Sequence, residues 1–432
     1  MQRKALIHLY KWKEKPSRKP LIIRGARQVG KTWIMQKFGT TAYTKLAYVN
    51  FESSKSLRDL FTDDFDIPRI IAGIQLATGV KIDEKTLIVL DEIQEARGAI
   101  TSLKYFHENA PEYHVIAAGS LLGVALHQEV SFPVGKVEFL DLYPLDFHEY
   151  LTAVGEEQLV ALLNQKNWSL IKTFKDKFIR HLKSYYFVGG MPEAVNAFSI
   201  SKDFEEVRQI QKDILTAYEL DFSKHAPTSI VPRIRMLWNS IPAQLARENK
   251  KFIYGLIKEG ARAKEYEVAL SWLVDCGLVH QISRVSKPGI PLTAYEDRSA
   301  FKLFAVDVGL LGAMGHIRSK IIIEGHTIFE EFKGALTEQY VLQQLKSTAE
   351  IPIYYWSAAR GMAEIDFVIQ LEDRVIPIEV KAAENLQAKS LKSYVSKYGP
   401  NIAIRSSMSD YREEDWLINW PLYGIVEVLE VV

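Results

Sequence analysis

The residues Gly25, Ala26, Arg27, Gln28, Val29, Gly30, Lys31 and Thr32 follow one another in the pattern GxxxxGK[ST], the Walker A spacing of a phosphate-binding loop. Glycines at 25 and 30 let the backbone curl and turn its N–H groups inward around a polyphosphate, and the helix that starts behind them presents its positive end. Lys31 is placed to reach the β- and γ-phosphates, and the Thr32 hydroxyl to sit on Mg²⁺. Leu21, Ile22 and Ile23 enter the loop as an apolar run, while Trp33, Ile34, Met35 and Phe38 leave it at helical spacing. The loop is therefore expected between a strand and a helix, the context this chemistry needs.

A second stretch supplies acids. Residues 86–90, TLIVL, run into Asp91 and Glu92, and an apolar strand ending in aspartate is the Walker B pattern. Asp91 is suited to hold Mg²⁺ through water. Glu92, next to it, is free to orient or deprotonate the attacking water. ATP and Mg²⁺ are the implied cofactors, and ATP hydrolysis to ADP and phosphate the implied reaction. Residues 114–118 read as a further strand that ends at Gly119 and Ser120. Ser120 is either a sensor contacting the γ-phosphate or the attacking water, or the N-cap of a helix opened by Leu121 and Leu122; the two roles are compatible. Residues 46–51 (LAYVNF) and 136–140 complete the set of expected strands.

The last third holds a separate constellation. Glu338 lies in a helix-like run, TEQYVLQQL; Asp366 sits in an apolar strand; and residues 375–381 read VIPIEVK. Strand alternation sets Ile376, Ile378 and Val380 on one face and Glu379 and Lys381 on the other. A short charged turn, Glu372 to Arg374, pairs the two strands and brings Asp366 near Glu379. Acids and lysines of this kind also line ordinary solvent-facing strands.

Composition bounds the rest. The chain has 432 residues, too many for one core. Its 47% hydrophobic and 25% charged content is that of a globular protein, and a net charge of +1 points to no strongly basic or acidic partner. Charge is local: Arg3, Lys4, Lys11, Lys13, Lys15, Arg18 and Lys19 face only Glu14, forming either a nucleic-acid-binding arm or an amphipathic helix packed through Leu6, Ile7, Leu9, Tyr10 and Trp12. The single cysteine, Cys276, excludes an internal disulfide and a cysteine-based zinc cluster. No apolar run approaches the ~18 residues of a membrane span, and no signal-peptide pattern opens the chain, so no membrane contact and a cytoplasmic location are expected.

Residues 156–223 follow helical periodicity, broken at Gly189-Gly190-Met191-Pro192. Between 231 and 295 the order is helix, proline break, helix, a third helix near 264–276, and a hairpin turning at Lys287-Pro288-Gly289. That order resembles a winged helix, with Arg262, Lys264, Arg284 and Lys287 as its candidate DNA contacts. Arg233, Arg235, Arg247 and Arg298 are all candidates for an arginine finger.

Taken together, GARQVGKT, TLIVLDEIQ, AAGSLL, FPVGKVEFLDLYPLDFHEYL and YYFVGGMPEAV resemble the AAA+ ATPases of bacteria and archaea whose C-terminal half is a separate domain of uncertain function. The resemblance implies a central P-loop strand in a mainly parallel sheet, and Ser120 as sensor. Relatives often carry arginine where this chain has Lys136. The C-terminal acids resemble the PD-(D/E)xK nuclease-like fold, which implies Mg²⁺ on Asp366 and Glu379, assisted by Glu338, with Lys381 orienting water or stabilising the phosphorane. The expected fold class is α/β: a P-loop ATPase domain over residues 1–150, a helical lid or linker over 151–226, a winged-helix-like domain over 227–296 and a restriction-endonuclease-like domain over 297–432. The leading function is an ATPase acting on ATP, with double-stranded DNA and a second copy of the chain as further partners. The alternatives are a metal-dependent DNA endonuclease gated by ATP, and a nucleotide-gated DNA-binding scaffold.

Overall fold

The computed structural model describes residues 2–62, 64–119, 132–247, 250–324, 330–348, 350–358, 363–382 and 388–431. The chain divides into two units, residues 2–143 with 275–278, and residues 144–274 with 279–432.

The first unit is built on five strands: β1 (Leu21–Arg24), β2 (Lys45–Asn50), β3 (Thr86–Asp91), β4 (His114–Ala118) and β5 (Glu138–Asp141). They lie in the order β2-β3-β4-β1-β5, and every neighbouring pair is parallel. All six residues of β3 are buried, which is why an unbroken apolar run, not an alternating one, encodes it. β2 separates the Walker A and B segments in sequence, but in space it lies on the edge. β4 is the strand between β1 and β3. The P-loop strand β1 is thus internal but not central as expected: β4 holds the middle of the sheet, and β1 lies between β4 and β5, one place in from the edge.

Helix α1 (Ala5–Glu14) buries Leu9 and Trp12, and the basic arm around it is tied to the unit by backbone oxygens and an acid. Lys13 donates to the Ala42 carbonyl at 2.6 Å and Lys19 to that of Gly135 at 2.7 Å, while Lys15 pairs with Glu138 at 2.9 Å. These cations anchor the helix to its own domain.

The second unit carries eight strands: β6 (Val279–Val285), β7 (Glu296–Ala305), β8 (Ile353–Ser357), β9 (Glu364–Leu371), β10 (Arg374–Val380), β11 (Ile404–Ser407), β12 (Arg412–Glu414) and β13 (Leu417–Pro421). They form one mixed sheet in the order β12-β13-β11-β10-β9-β8-β6-β7. The β6–β7 hairpin, read from the sequence as the wing of a winged helix, is the end of the same sheet that carries the C-terminal acids. Its cations have local partners: Arg284 pairs with Asp297, and the exposed Lys287 lies 4.5 Å above the Tyr295 ring. The expected proline break is absent. Pro242 lies inside the continuous helix Val231–Leu245. It removes one backbone hydrogen bond, but burial of Ile241, Gln244 and Leu245 around it carries the helix through.

The glycine pair at 189–190 has a packing reason. Gly190 donates its N–H to Asp307 Oδ2 at 2.6 Å, and its carbonyl accepts from Leu145 N at 2.7 Å. Asp307 also accepts from Leu310 N at 3.0 Å and from Gln343 at 2.9 Å, and Gln343 accepts from Val308 N at 2.9 Å. Tyr185 donates to the Leu145 carbonyl. Segments from four distant parts of the sequence therefore meet in one buried, satisfied polar joint.

Candidate functional site

The Walker A loop joins β1 to helix α2 (Lys31–Ala42). Gly25 has φ +144°, and a Cβ there would lie 2.2 Å from the Leu142 carbonyl oxygen; only glycine fits. Gly30 and Gln28 have φ of +94° and +66°, so the chain turns through the left-handed region twice before the helix begins. Lys31 is only 7% exposed. Its ammonium folds back onto the loop, donating to the Gly25 carbonyl at 2.9 Å and the Ala26 carbonyl at 2.7 Å. Burial lowers its pKa to about 8, opposed by the negative charges of Glu92 and Asp91. Arg3 braces the loop from outside by donating to the Val29 carbonyl at 3.1 Å and to that of Tyr143 at 2.6 Å. Nothing in the spacing of Arg3 points to that role.

The acids of the Walker B segment meet this loop. Thr32 Oγ1 donates to Asp91 Oδ2 at 2.7 Å, joining the helix after β1 to the tip of β3. The same oxygen accepts from the Tyr48 hydroxyl at 2.7 Å, and the other accepts from Glu92 N at 3.0 Å. Tyr48, on β2, was missed from the sequence, where residues 46–51 read only as a strand. The alternation of buried Ala47 and Val49 around it is the signal that sets it on the other face. Glu92 has φ +52°, a conformation costing a non-glycine residue about 1–3 kcal/mol and common where function holds a side chain in place. Gln94 donates to Glu92 Oε2 at 2.6 Å and fixes that carboxylate. Ser120 lies outside the described residues.

Loop, hydroxyl, buried lysine and paired acids thus converge beyond the carboxyl ends of β1 and β3, where open parallel sheets hold their ligands. Residues 17–151 match the family described as an AAA domain. The match covers under a third of the chain and includes the loop and the paired acids. Residues 179–320 and 333–423 match families described as domains of unknown function (DUF8612 and DUF4143). The search of curated proteins returned no match. Among solved structures, the chain is similar to a Walker-type ATPase of Pyrococcus abyssi, at 13% identity over 73% of this chain and 95% of that one, with a TM-score of 0.45. It is also similar to the ORC1 protein of Aeropyrum pernix in complex with DNA, at 12% identity over 73% and 92% with a TM-score of 0.30. Cdc6p of Pyrobaculum aerophilum gives 12%, 74%, 92% and 0.25.

In the AAA domain, Lys136 pairs with Glu108 at 2.9 Å. Of the arginine-finger candidates, Arg233 donates to the Ser229 carbonyl at 3.2 Å, Arg235 to the Ser223 hydroxyl at 2.8 Å, and Arg298 to Glu296 at 3.2 Å. These contacts single out none of them. Among the described residues no helix is long and apolar enough to cross a membrane.

The C-terminal acids sit in surroundings the alternating pattern did not foresee. β10 is internal to its sheet, and Glu379, on the face opposite Ile376 and Ile378, is only 2% exposed. Glu379 Oε1 pairs with Lys381 at 2.9 Å, and burial, opposed by Lys381, raises its pKa. Asp366 Oδ2 accepts from Val380 N at 2.7 Å. Burial, with the charge of Glu338 next, raises the Asp366 pKa to about 8. Two residues missing from the sequence reading complete the cluster. Lys302, on β7, is fully buried and pairs with Glu364, with Glu338 at 3.7 Å and with Asp366 at 3.9 Å. Lys250 pairs with the other oxygen of Glu338. The signal for Lys302 was present: a lone lysine inside the apolar run AFKLFAV. Among the described residues, no three histidine, cysteine, aspartate or glutamate side chains converge as a ligand set for a metal.

Proposed function

We propose that the AAA domain binds ATP with Mg²⁺ and hydrolyses it to ADP and phosphate. The observation that carries this reading is the 2.7 Å hydrogen bond between Thr32 and Asp91, which brings the two groups suited to share one divalent ion into contact without help from any other chain. Mg²⁺, when bound there, supplies neutralisation of the phosphate charge. The residues fit it: two hard oxygen donors, one buried and anionic, beside a loop whose glycines admit phosphate. Lys31 leaves the Gly25 and Ala26 carbonyls for the β- and γ-phosphates, whose negative charge favours its protonated form. Glu92, held by Gln94, takes the proton of the attacking water. Tyr48 positions Asp91 by fixing one of its oxygens.

Asp91→Asn tests the metal assignment directly. With a fluorescent ATP analogue, the variant retains the metal-free affinity but loses the gain produced by Mg²⁺. An unchanged Mg²⁺-dependent gain would place the metal elsewhere.

A further inference from the structure

The C-terminal sheet presents an acid cluster that, by its resemblance to nuclease-like folds, calls for a divalent metal. The residues around it do not fit one. Lys302 projects from β7 into the centre of Glu338, Glu364 and Asp366, with no solvent exposure, and its ammonium also lies 5.0 Å over the Tyr355 ring. Burial alone would lower its pKa, but the surrounding carboxylates outweigh burial and raise it. Lys250 neutralises Glu338 from the other side. Glu379, the acid expected as a second metal ligand, instead pairs with Lys381.

We propose that the Lys302 ammonium is the built-in counter-cation of the Glu338–Glu364–Asp366 cluster, occupying the place a divalent metal would take, so that this unit performs no metal-assisted phosphodiester cleavage. A mobile divalent ion would have to displace a fully buried ammonium that already pairs with all three carboxylates. A carboxylate cage that already holds two ammonium groups, Lys302 and Lys250, gains little from a further cation. The cluster then locks β7, β9 and the helix Glu330–Thr348 together, a structural use of the same residue types that would otherwise hold a metal.

The test uses the full chain carrying Asp91→Asn, which removes the metal contact of the AAA domain, and Mn²⁺ as the probe followed by its electron spin resonance. The expected result is no Mn²⁺ bound in the micromolar range and no nicking of supercoiled DNA. Lys302→Met then creates a site for about one Mn²⁺ per chain, which is lost again when Asp366→Asn is added, while Lys302→Arg creates none. If Lys302→Met fails to fold, the protein with Lys302 in place decides the matter. Mn²⁺ binding or DNA nicking by that protein, lost on Asp366→Asn, overturns the proposal. Neither outcome depends on whether the AAA domain hydrolyses ATP.

Discussion

Glu92→Gln leaves ATP binding intact and lowers turnover by about 10²–10⁴-fold, the contribution expected of a positioned general base. The substitution keeps the shape of the side chain and removes only its ability to accept a proton. Glu92 is held in the left-handed region and clamped by Gln94, so the amide occupies the same place and can still accept a hydrogen bond from Gln94. Asp91, Thr32 and Lys31 are untouched, and the affinity for ATP with Mg²⁺ stays within about twofold. The check is paired: equilibrium binding of a fluorescent ATP analogue, and phosphate release under saturating ATP. Turnover at the wild-type rate would remove Glu92 from the role of base. Loss of binding together with turnover would instead show that the carboxylate shapes the loop.

Gly190→Ala destabilises the second unit by about 3 kcal/mol, at the upper end of overpacking effects. A Cβ at this position would lie 2.1 Å from the Leu145 carbonyl oxygen, 2.8 Å from Leu145 N and 3.0 Å from Gln343 Nε2. Two of those atoms are backbone, and all belong to the buried joint that Asp307 organises, so the clash has no inexpensive relief. The urea midpoint of that unit, followed by tryptophan fluorescence, falls by about 1–3 M for a slope of about 1–3 kcal/mol per molar urea. Gly334→Ala is the control. It sits in a helix with nothing within 4 Å of the new methyl, and alanine there is neutral or stabilising by up to about 1 kcal/mol. Equal midpoints for Gly190→Ala and wild type would contradict the geometry of the joint.

The difference between these two sites shows which features a single sequence carries. The Walker segments are legible because their chemistry is local: loop, lysine and hydroxyl occupy eight consecutive positions, and the acids close an unbroken apolar strand. The partners that refine the site are not. Tyr48 and Arg3 become functional neighbours through sheet order and loop closure, which no spacing encodes, whereas Gln94 reaches Glu92 from two residues away. Sheet order itself was half visible, since β2 separates the two motifs in sequence while β4 separates them in space. In the C-terminal sheet, alternation separated Glu379 from Ile376, Ile378 and Val380 but left open whether its face is covered, because that depends on the strands on either side of β10. Lys302 lies far in sequence from the acids it neutralises, and only the pairing of β6 with β8 brings its strand to them. The Gly189-Gly190 break was visible, but its reason, a close approach by Asp307 and Leu145, belongs to tertiary structure.

The central claim is that the AAA domain turns ATP over at the Lys31–Asp91–Glu92 site. The most direct measurement is phosphate release from ATP by wild type and Lys31→Ala side by side, with and without Mg²⁺ and double-stranded DNA, across a range of protein concentrations. The account predicts Mg²⁺-dependent release by wild type and none above background by Lys31→Ala. Absence of release by a wild-type protein that binds ATP under all these conditions, or equal release by both proteins, would contradict it.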